Sequence, residues 1–547
     1  MTSHFDILPL GGLGEIGMNC LCVEHGDSRL IIDTGLTFPD QGLGTDIIHP
    51  DFAYLWDQPK TQQAVVLTHG HEDHVGALPF LLSESTCPVF GTPYAVAVAR
   101  QRLLEFPPNT PADFTLTAPG QRFVVGDFEV EPFRVAHSIP DCTGLIIRCD
   151  AGTIVHTGDF RIDRDPPDGE LLDEAALSNV GDAGVRLLMS DSTNVETEHI
   201  PGNETSVAAR LLHHVTRAKG RVVVSMFASN VYRLQALINA ATASGRKLAL
   251  LGRSIETHAT VASELGMLKG LDGVRVSRDV LRDLAPSEVL LAATGSQGEL
   301  RAALQRLAKG THHALSLSPG DLVIHSARII PGKERVVYAT FDELSRTGVE
   351  VVHRGDDPGI HVSGHAPRSD QRRMMELTRP RAFVPVHGTH HHLTRHANLA
   401  RSMGVTEIAI INNGTRLRVH RDQAMDTVGG EATGRVHIQA GQEIDNVVLR
   451  DRAILAEVGI CVISLSVNER GIPVAPPRVL TRGILCEDDE PMLLAELRDA
   501  ADASVRKLPQ NSDDDAIIQA ACDPVRRLLK RTLGFRSPVH CMLTRVP

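Results

Sequence analysis

One stretch, Thr68-His69-Gly70-His71-Glu72-Asp73-His74, constrains this chain more than any other. It follows an apolar run, Ala64-Val65-Val66-Leu67, that reads as a short buried strand. A strand ending in His-x-His-x-Asp-His can aim several borderline-to-hard donors at one point, which is what zinc or manganese takes. His69 and His71 lie two apart on a turn and Asp73 with His74 follows directly, so one loop can give two ligands to each of two ions. The segment therefore reads as half of a dinuclear metal site, against the plainer reading of a histidine-rich surface turn.

A chain of 547 residues is long enough for three to four domains and at least one large core. With 42% apolar and 22% charged residues it belongs to the soluble globular class, with nothing that argues for disorder or a fibre. The start, Met1-Thr2-Ser3-His4-Phe5-Asp6, has no basic segment leading an apolar one, and no stretch approaches the roughly 20 apolar residues that span a bilayer. A cytoplasmic location without membrane contact is the default. Cys20, Cys22, Cys87, Cys142, Cys149, Cys461, Cys486, Cys522 and Cys541 form no Cys-x-x-Cys pair and are expected to be reduced and mostly buried. A net charge of −12 opposes indiscriminate coating of nucleic acid but leaves room for a local cationic groove or a metal pair that binds phosphate.

Runs such as Leu30-Ile31-Ile32-Asp33, Leu145-Ile146-Ile147 and Thr153-Ile154-Val155 make the first 190 or so residues strand-rich. From about residue 205 the grammar becomes strand, glycine or polar loop, helix: residues 221–227 lead through Ala228-Ser229-Asn230, 247–251 through Gly252-Arg253-Ser254, and 288–293 through Thr294-Gly295-Ser296-Gln297-Gly298-Glu299. That alternation implies a parallel sheet with its loops gathered at the carboxyl ends of the strands, a natural binding face. Strand-and-histidine character returns after residue 350, with His365 and His387 near strand ends and a helix over about 391–403, so the middle domain looks inserted into the first. The expected division is a first domain over 1–204, an inserted domain over 205–355, a return to the first over 356–428, a linker over 429–452 around Val428-Gly429-Gly430, and a C-terminal domain over 453–547. In that last part residues 516–533 have helical periodicity, with a break or kink expected at Pro524 and a basic face of Arg526, Arg527, Lys530 and Arg531 that is first of all a solvated face.

More donors are needed to close two metal shells. His137 stands after a short strand in Arg134-Val135-Ala136-His137-Ser138-Ile139-Pro140-Asp141, and Asp159 at another strand end in His156-Thr157-Gly158-Asp159-Phe160, where a carboxylate could bridge two ions. This order of motifs resembles the metallo-β-lactamase superfamily and, within it, the β-CASP nucleases of the ribonuclease J family. The matching segments are 11–19, 69–79, 137–141, 156–160, Ser190-Asp191-Ser192-Thr193-Asn194, 294–299, Ser363-Gly364-His365-Ala366, Pro385-Val386-His387-Gly388 and Val448-Leu449-Arg450-Asp451-Arg452.

The resemblance implies an α/β fold: a metallo-β-lactamase αββα sandwich with an inserted parallel β-CASP domain and a small C-terminal α+β domain. It implies one metal held by His69, His71 and His137 and a second by Asp73, His74 and His387, with Asp159 bridging. Zinc is the first choice and manganese the second, since the same ligands accept both. Two such ions can share a hydroxide, lower its pKa and stabilise attacking and leaving oxygens at phosphorus, so the implied reaction is phosphodiester hydrolysis with Asp73, Asp159 and His365 at its centre. His365 matches the family histidine that contacts the scissile phosphate or protonates the leaving group. Asp191 is expected to orient a ligand histidine through its other ring nitrogen.

Small residues and backbone amides at strand-to-helix corners favour phosphates. The resemblance implies that Ser229, Asn230, His361, Val362, Ser363, Gly364 and His365 cradle the RNA backbone or a terminal 5′-monophosphate. A closed phosphate pocket at a fixed distance from the metals would measure off one nucleotide. The implied function is a ribonuclease with 5′-to-3′ exonuclease and endonuclease activity on single-stranded RNA, in RNA maturation and decay, working as a homodimer or homotetramer and open to membership of an RNA-degradation complex. A β-CASP DNA nuclease and an inactive RNA-binding scaffold are the competing readings; the full set of seven ligands opposes the scaffold. Gly44 and Asp46, with Glu443, match a region that holds structural calcium in some relatives, although a plain polar turn is the simpler meaning. Two departures stand out: Thr389 followed by His390-His391-His392 where an acid is common, and Cys142 where a small hydroxyl residue is usual.

Overall fold

The computed structural model describes residues 4–39, 43–109, 111–299, 301–330, 332–484 and 491–547. They fall into two compact units, Met1–Phe38 with Ile47–Val436, and Pro39–Asp46 with His437–Pro547.

In the first unit two sheets share one core. An eight-stranded sheet runs in the order Asp426–Gly430, Thr415–His420, His4–Gly11, Cys20–His25, Ser28–Ile32, Gln62–Leu67, Pro88–Gly91, Asp113–Leu116. A seven-stranded sheet runs Glu407–Ile408, Ala382–Val386, Leu187–Asp191, Gly152–His156, Thr143–Cys149, Phe128–Arg134, Phe123–Val125. Phe5, Ile7, Val23, Leu30 and Val66 of one sheet meet Phe128, Leu145, Ile154, Met189 and Val384 of the other. Strand Phe128–Arg134 shows why: Phe128 and Val130 are buried while Glu129 and Glu131 alternate outward. Ala64-Val65-Val66-Leu67 has no such alternation, because its strand lies parallel between Ser28–Ile32 and Pro88–Gly91 and is covered on both faces. Helix Pro93–Glu105 packs on the outside of the first sheet, and helix His390–Ser402 on the outside of the second, where His396 meets Phe383. The layers are therefore those of an αββα sandwich.

The chain leaves this sandwich after strand Leu187–Asp191 and returns at strand Ala382–Val386, its parallel neighbour. Between them lies a separate five-stranded parallel sheet in the order Lys247–Leu251, Val289–Ala293, Val222–Ser225, Leu322–His325, Glu350–Val352. Parallel pairing places the loops that begin at Met226, Gly252, Thr294 and Ser326 on one edge.

The second unit has a three-stranded sheet, Arg478–Arg482, Ile460–Val467 and Val539–Arg545, under helices Pro491–Val505 and Asp514–Leu533. Cys461, Ile463, Leu465 and Val467 alternate inward to form its core. Helix Asp514–Leu533 runs on through Pro524 without the expected break. Ala521, Cys522, Val525 and Leu529 anchor it on both sides of the proline, and this packing offsets a cost of about 3 kcal/mol. Arg526, Arg527, Lys530 and Arg531 are exposed. Residues 429–452, expected as a linker, contain the boundary between the two units at Val436 and carry the end of strand Asp426–Gly430, the hairpin Arg435–Gln439 with Gln442–Ile444, and the first half of helix Asn446–Val458.

Of the cysteines, Cys20, Cys22, Cys87, Cys142, Cys461 and Cys522 are free and buried, and Cys149 and Cys541 are free and half-buried. Cys486 lies outside the described residues. No helix among the described residues is long and apolar enough to cross a membrane.

Candidate metal centre

Strand Gln62–Leu67 delivers Thr68 to the sheet edge beside Asp33, the residue after the neighbouring strand Ser28–Ile32. The Thr68 amide and hydroxyl donate to the Asp33 carboxylate, both at 2.7 Å. Since its one hydroxyl proton is spent there, Thr68 Oγ1 must accept from His69 Nδ1 at 3.0 Å. His69 Nε2 is then left with a lone pair. His137 Nδ1 donates to the Gly364 carbonyl at 2.8 Å, and His74 Nδ1 to Asp33 Oδ2 at 2.7 Å. These partners fix the tautomers of His69 and His137 and leave their Nε2 lone pairs facing inward. For His74, burial is outweighed by the carboxylates of Asp159, Asp33 and Asp73, which push its pKa well up, and its Nε2 is aimed at the same centre.

Those lone pairs converge. His71 Nδ1 stands 3.0 Å from His69 Nε2 and 3.2 Å from His137 Nε2. His69, His71, His137 and Asp159 each bring a donor atom within 4.8 Å of the others, and Asp73, His74 and Asp159 do the same, so Asp159 belongs to both groups. His74 Nε2 is 3.3 Å from Asp159 Oδ2, and His387 Nδ1 is 2.7 Å from Asp159 Oδ1. The His387–Asp159 contact is close but not aligned as a hydrogen bond, which leaves both atoms buried without a proper partner. His387 is placed there by a left-handed backbone at φ 60°, a costly conformation for a side chain of its size. Glu72 turns away to Arg102 at 3.1 Å.

Burial, reinforced by neighbouring imidazoles, pushes the pKa of His69 and His71 well down and that of His137 to about 4. Neutral imidazoles with opposed lone pairs repel unless a cation lies between them. The donor set and the orphaned atoms of Asp159 and His387 therefore fit a pair of divalent ions.

Beside the clusters, His365 Nδ1 lies 2.9 Å from Asp191 Oδ2 and 3.7 Å from Asp159 Oδ2. Burial alone would lower the His365 pKa, but Asp191 and Asp159 raise it to about 9. Asp191 thus orients His365 and not one of the expected ligand histidines; it ends strand Leu187–Asp191 opposite Val386 and faces the returning loop. The role expected of Asp191 is filled by Asp33 for His74. The signal for Asp33 is a strand-end acid one residue past Ile32, the partner of Val66, but that match depends on knowing which strands pair. Asn19 also went unassigned: its amide reaches His74 Nε2 at 2.9 Å and Asp73 Oδ2 at 3.3 Å.

The expected RNA-binding residues divide. Ser229 is half-exposed at the start of helix Val231–Ser244, and Ser363 Oγ accepts the His365 amide at 3.2 Å. Asn230 is buried, capping that helix through the Arg233 amide and donating to Glu204 Oε1 at 3.0 Å, so its side chain is not free for a ligand. Val362 is buried, and His361 Nδ1 meets Arg233 Nη1 at 3.1 Å. Gly364 leaves no room for a side chain: a Cβ there would stand 2.7 Å from His137 Nδ1. Thr389 caps helix His390–Ser402 with His392, while His391 pairs with Glu196 at 2.9 Å on the surface. In the second unit Asp46 Oδ2 accepts the Ala440 amide at 2.7 Å, as a polar turn residue does, and Glu443 is exposed in the adjoining hairpin.

Four family models match: the metallo-beta-lactamase superfamily over residues 13–210, the ribonuclease J beta-CASP domain over 219–344, the Zn-dependent metallo-hydrolase RNA specificity domain over 359–410, and the ribonuclease J C-terminal domain over 447–546. Ribonuclease J 1 of Streptococcus pyogenes serotype M3 is 36% identical over 93% of this chain and 91% of its own length. Ribonuclease J of Mycobacterium tuberculosis is 36% identical over 96% of this chain and 93% of its own. In fold, the chain is similar to a crystal structure of a protein of unknown function from Enterococcus faecalis V583, with TM-score 0.54 at 17% identity, covering 76% of this chain and 99% of that one.

Proposed function

Because this chain belongs to the ribonuclease J family of metal-dependent ribonucleases, we propose that it degrades single-stranded RNA from a 5′-monophosphate end in the 5′-to-3′ direction and also cleaves internally. The observation that carries this reading is the sharing of Asp159 between two donor clusters, with the His365 ring 3.7 Å from it. His69, His71 and His137 would hold one ion and Asp73, His74 and His387 the other, zinc before manganese. Bound there, the ions would lower the pKa of water and neutralise charge developing at phosphorus.

The protein's own groups supply the rest. His365, its Nδ1 2.9 Å from Asp191 Oδ2, can when protonated hold its proton against a phosphate oxygen or pass it to the leaving 3′-oxygen. Asp191 keeps that ring oriented and favours its charged form. The loop carrying Ser363 and Gly364 fixes His365 through the Ser363 hydroxyl and His137 through the Gly364 carbonyl, so one segment positions both the proton donor and a metal ligand. Ser229, half-exposed ahead of helix Val231–Ser244, offers its hydroxyl to backbone phosphate.

The test compares 5′-monophosphate and 5′-triphosphate forms of one long RNA, and the matching DNA, after chelation and separate readdition of Zn²⁺ and Mn²⁺. Mononucleotides from the monophosphate RNA, dependent on added metal, are the expected result. Cleavage of DNA in preference to RNA would overturn it in favour of a DNA nuclease, and activity untouched by Asp73→Asn would overturn the assigned centre.

A further inference from the structure

The strands that carry the metal centre have a second set of donors at their opposite ends. Strand Cys20–His25 of the first sheet ends at His25, and strand Thr143–Cys149 of the second ends at Cys149, with Asp150 next in the turn. From these turns strands Ser28–Ile32 and Gly152–His156 run to Asp33 and toward Asp159. Five residues of strand separate the two ends, roughly 16 Å at about 3.3 Å per residue.

His25 is oriented much as His137 is. Its Nδ1 lies 2.8 Å from the His4 carbonyl, which turns Nε2 toward Asp150 Oδ1 at 2.7 Å. Donor atoms of His25, Cys149 and Asp150 all lie within 4.8 Å of one another. Beside them opens a cavity of about 380 Å³ lined in part by Cys149, Asp150, Asp127 and Glu129. It has room for a water as a further ligand. The cation on that wall, Arg148, is taken up by Glu129 at 3.3 Å and Glu131 at 2.8 Å. The Asp150 side chain is 40% exposed, so an ion has a way in.

We propose that His25, Cys149 and Asp150 form a further cation site for a borderline-soft divalent ion of the zinc class. One imidazole, one thiolate and one carboxylate, completed by water from the cavity, make a tetrahedral donor set. A thiolate disfavours magnesium, calcium and manganese, which take harder oxygen or nitrogen donors. Binding exchanges the thiol proton for the ion and links the first sheet to the second at the end away from the reaction. The ion therefore raises stability and leaves the reaction chemistry to the main centre.

Cobalt(II) is the probe, added to the full chain after chelation. The main centre offers only His and Asp donors, so a thiolate-to-cobalt charge-transfer band reports this cluster alone. The expected result is a band whose amplitude corresponds to one thiolate-bound cobalt per chain, complete by three equivalents because the main centre takes the other two. The band is lost in Cys149→Ser and needs at least tenfold more free cobalt to reach half its amplitude in Asp150→Asn. Absence of the band, or its persistence in Cys149→Ser, overturns the proposal in favour of a simple His25–Asp150 ion pair. Should Cys149→Ser fail to fold, the exposed Asp150→Asn decides, and unchanged cobalt affinity there overturns the site.

Discussion

Asp33 Oδ2 lies 2.7 Å from His74 Nδ1, and both residues are at most 1% exposed. This contact sets which nitrogen of His74 is left for the centre, and through Thr68 the same carboxylate sets the tautomer of His69. Asp33→Asn keeps the volume but can donate as well as accept, so both tautomers lose their guide. Metal affinity is expected to fall about 10–100-fold, measured by competition with a chromogenic chelator, with the circular dichroism spectrum unchanged. Affinity within twofold of the parent would show that the contact is only structural.

Gly364→Ala inserts a Cβ 2.7 Å from His137 Nδ1 and 2.9 Å from the Ser138 amide nitrogen. The ring must move and its bond to the Gly364 carbonyl stretches. The expected outcome is a loss of stability of about 1–3 kcal/mol, read by urea unfolding, together with a drop in kcat/KM on RNA. A variant with parental unfolding and turnover would contradict the close packing.

His365→Gln removes the ring that holds the proton, and Asp191→Asn removes the charge that keeps it protonated. Each is expected to lower kcat by about 10²–10⁴-fold. Because the two residues act as one unit, the double variant should lose little beyond the worse single one. Additive losses in single-turnover assays would mean that they work independently.

The Tyr94 hydroxyl lies 2.9 Å from His258 Nδ1, joining helix Pro93–Glu105 of the sandwich to helix Arg253–Glu264 of the inserted domain. Burial holds His258 neutral, with its pKa down to about 4. Tyr94→Phe leaves a buried ring nitrogen without this partner, an expected cost of about 1–3 kcal/mol. Adding His258→Leu should recover most of it, and the urea midpoints of the single and double variants test this directly.

Asp357 accepts from Arg210 at 2.7 and 3.0 Å and from His214 at 2.7 Å, tying the loop before His361 to helix Glu204–Arg217. Burial would raise its pKa, but these hydrogen bonds dominate and bring it from an ordinary 3.8 down to about 2. A carboxylate depressed in the folded state contributes stability that is fully present above its unfolded pKa and is lost as pH falls through the folded one. The difference in urea midpoint between the parent and Asp357→Asn should therefore be constant above about pH 5 and shrink as pH drops from 4 toward 2. A difference that does not change over that range would rule out this linkage.

The metal donors were legible because their spacing is local: His69, His71, Asp73 and His74 share one turn after an apolar run. Three of the five strands of the parallel inserted sheet, those at 222–225, 247–251 and 289–293, were legible for a related reason, since each carries an apolar run that leads into a glycine or serine corner. Asn230 and Asp191 misled for the opposite reason. A helix cap and a ligand-binding amide look alike in sequence, and the partner of a strand-end acid depends on which strands are neighbours. Pro524 does not break its helix, because local backbone preference yields when a helix is anchored on both sides of it.

Composition and spacing by themselves determined which donors exist, how they cluster along the chain, and the class of ion that suits them. Tertiary structure alone decided how those donors face. His137 takes its orientation from the Gly364 carbonyl, 227 residues away, His74 from Asp33, and His365 its charge from Asp191, 174 residues away. The direction of a lone pair and the charge of an imidazole are set by the partner on the other side of the ring, and that partner comes from another strand.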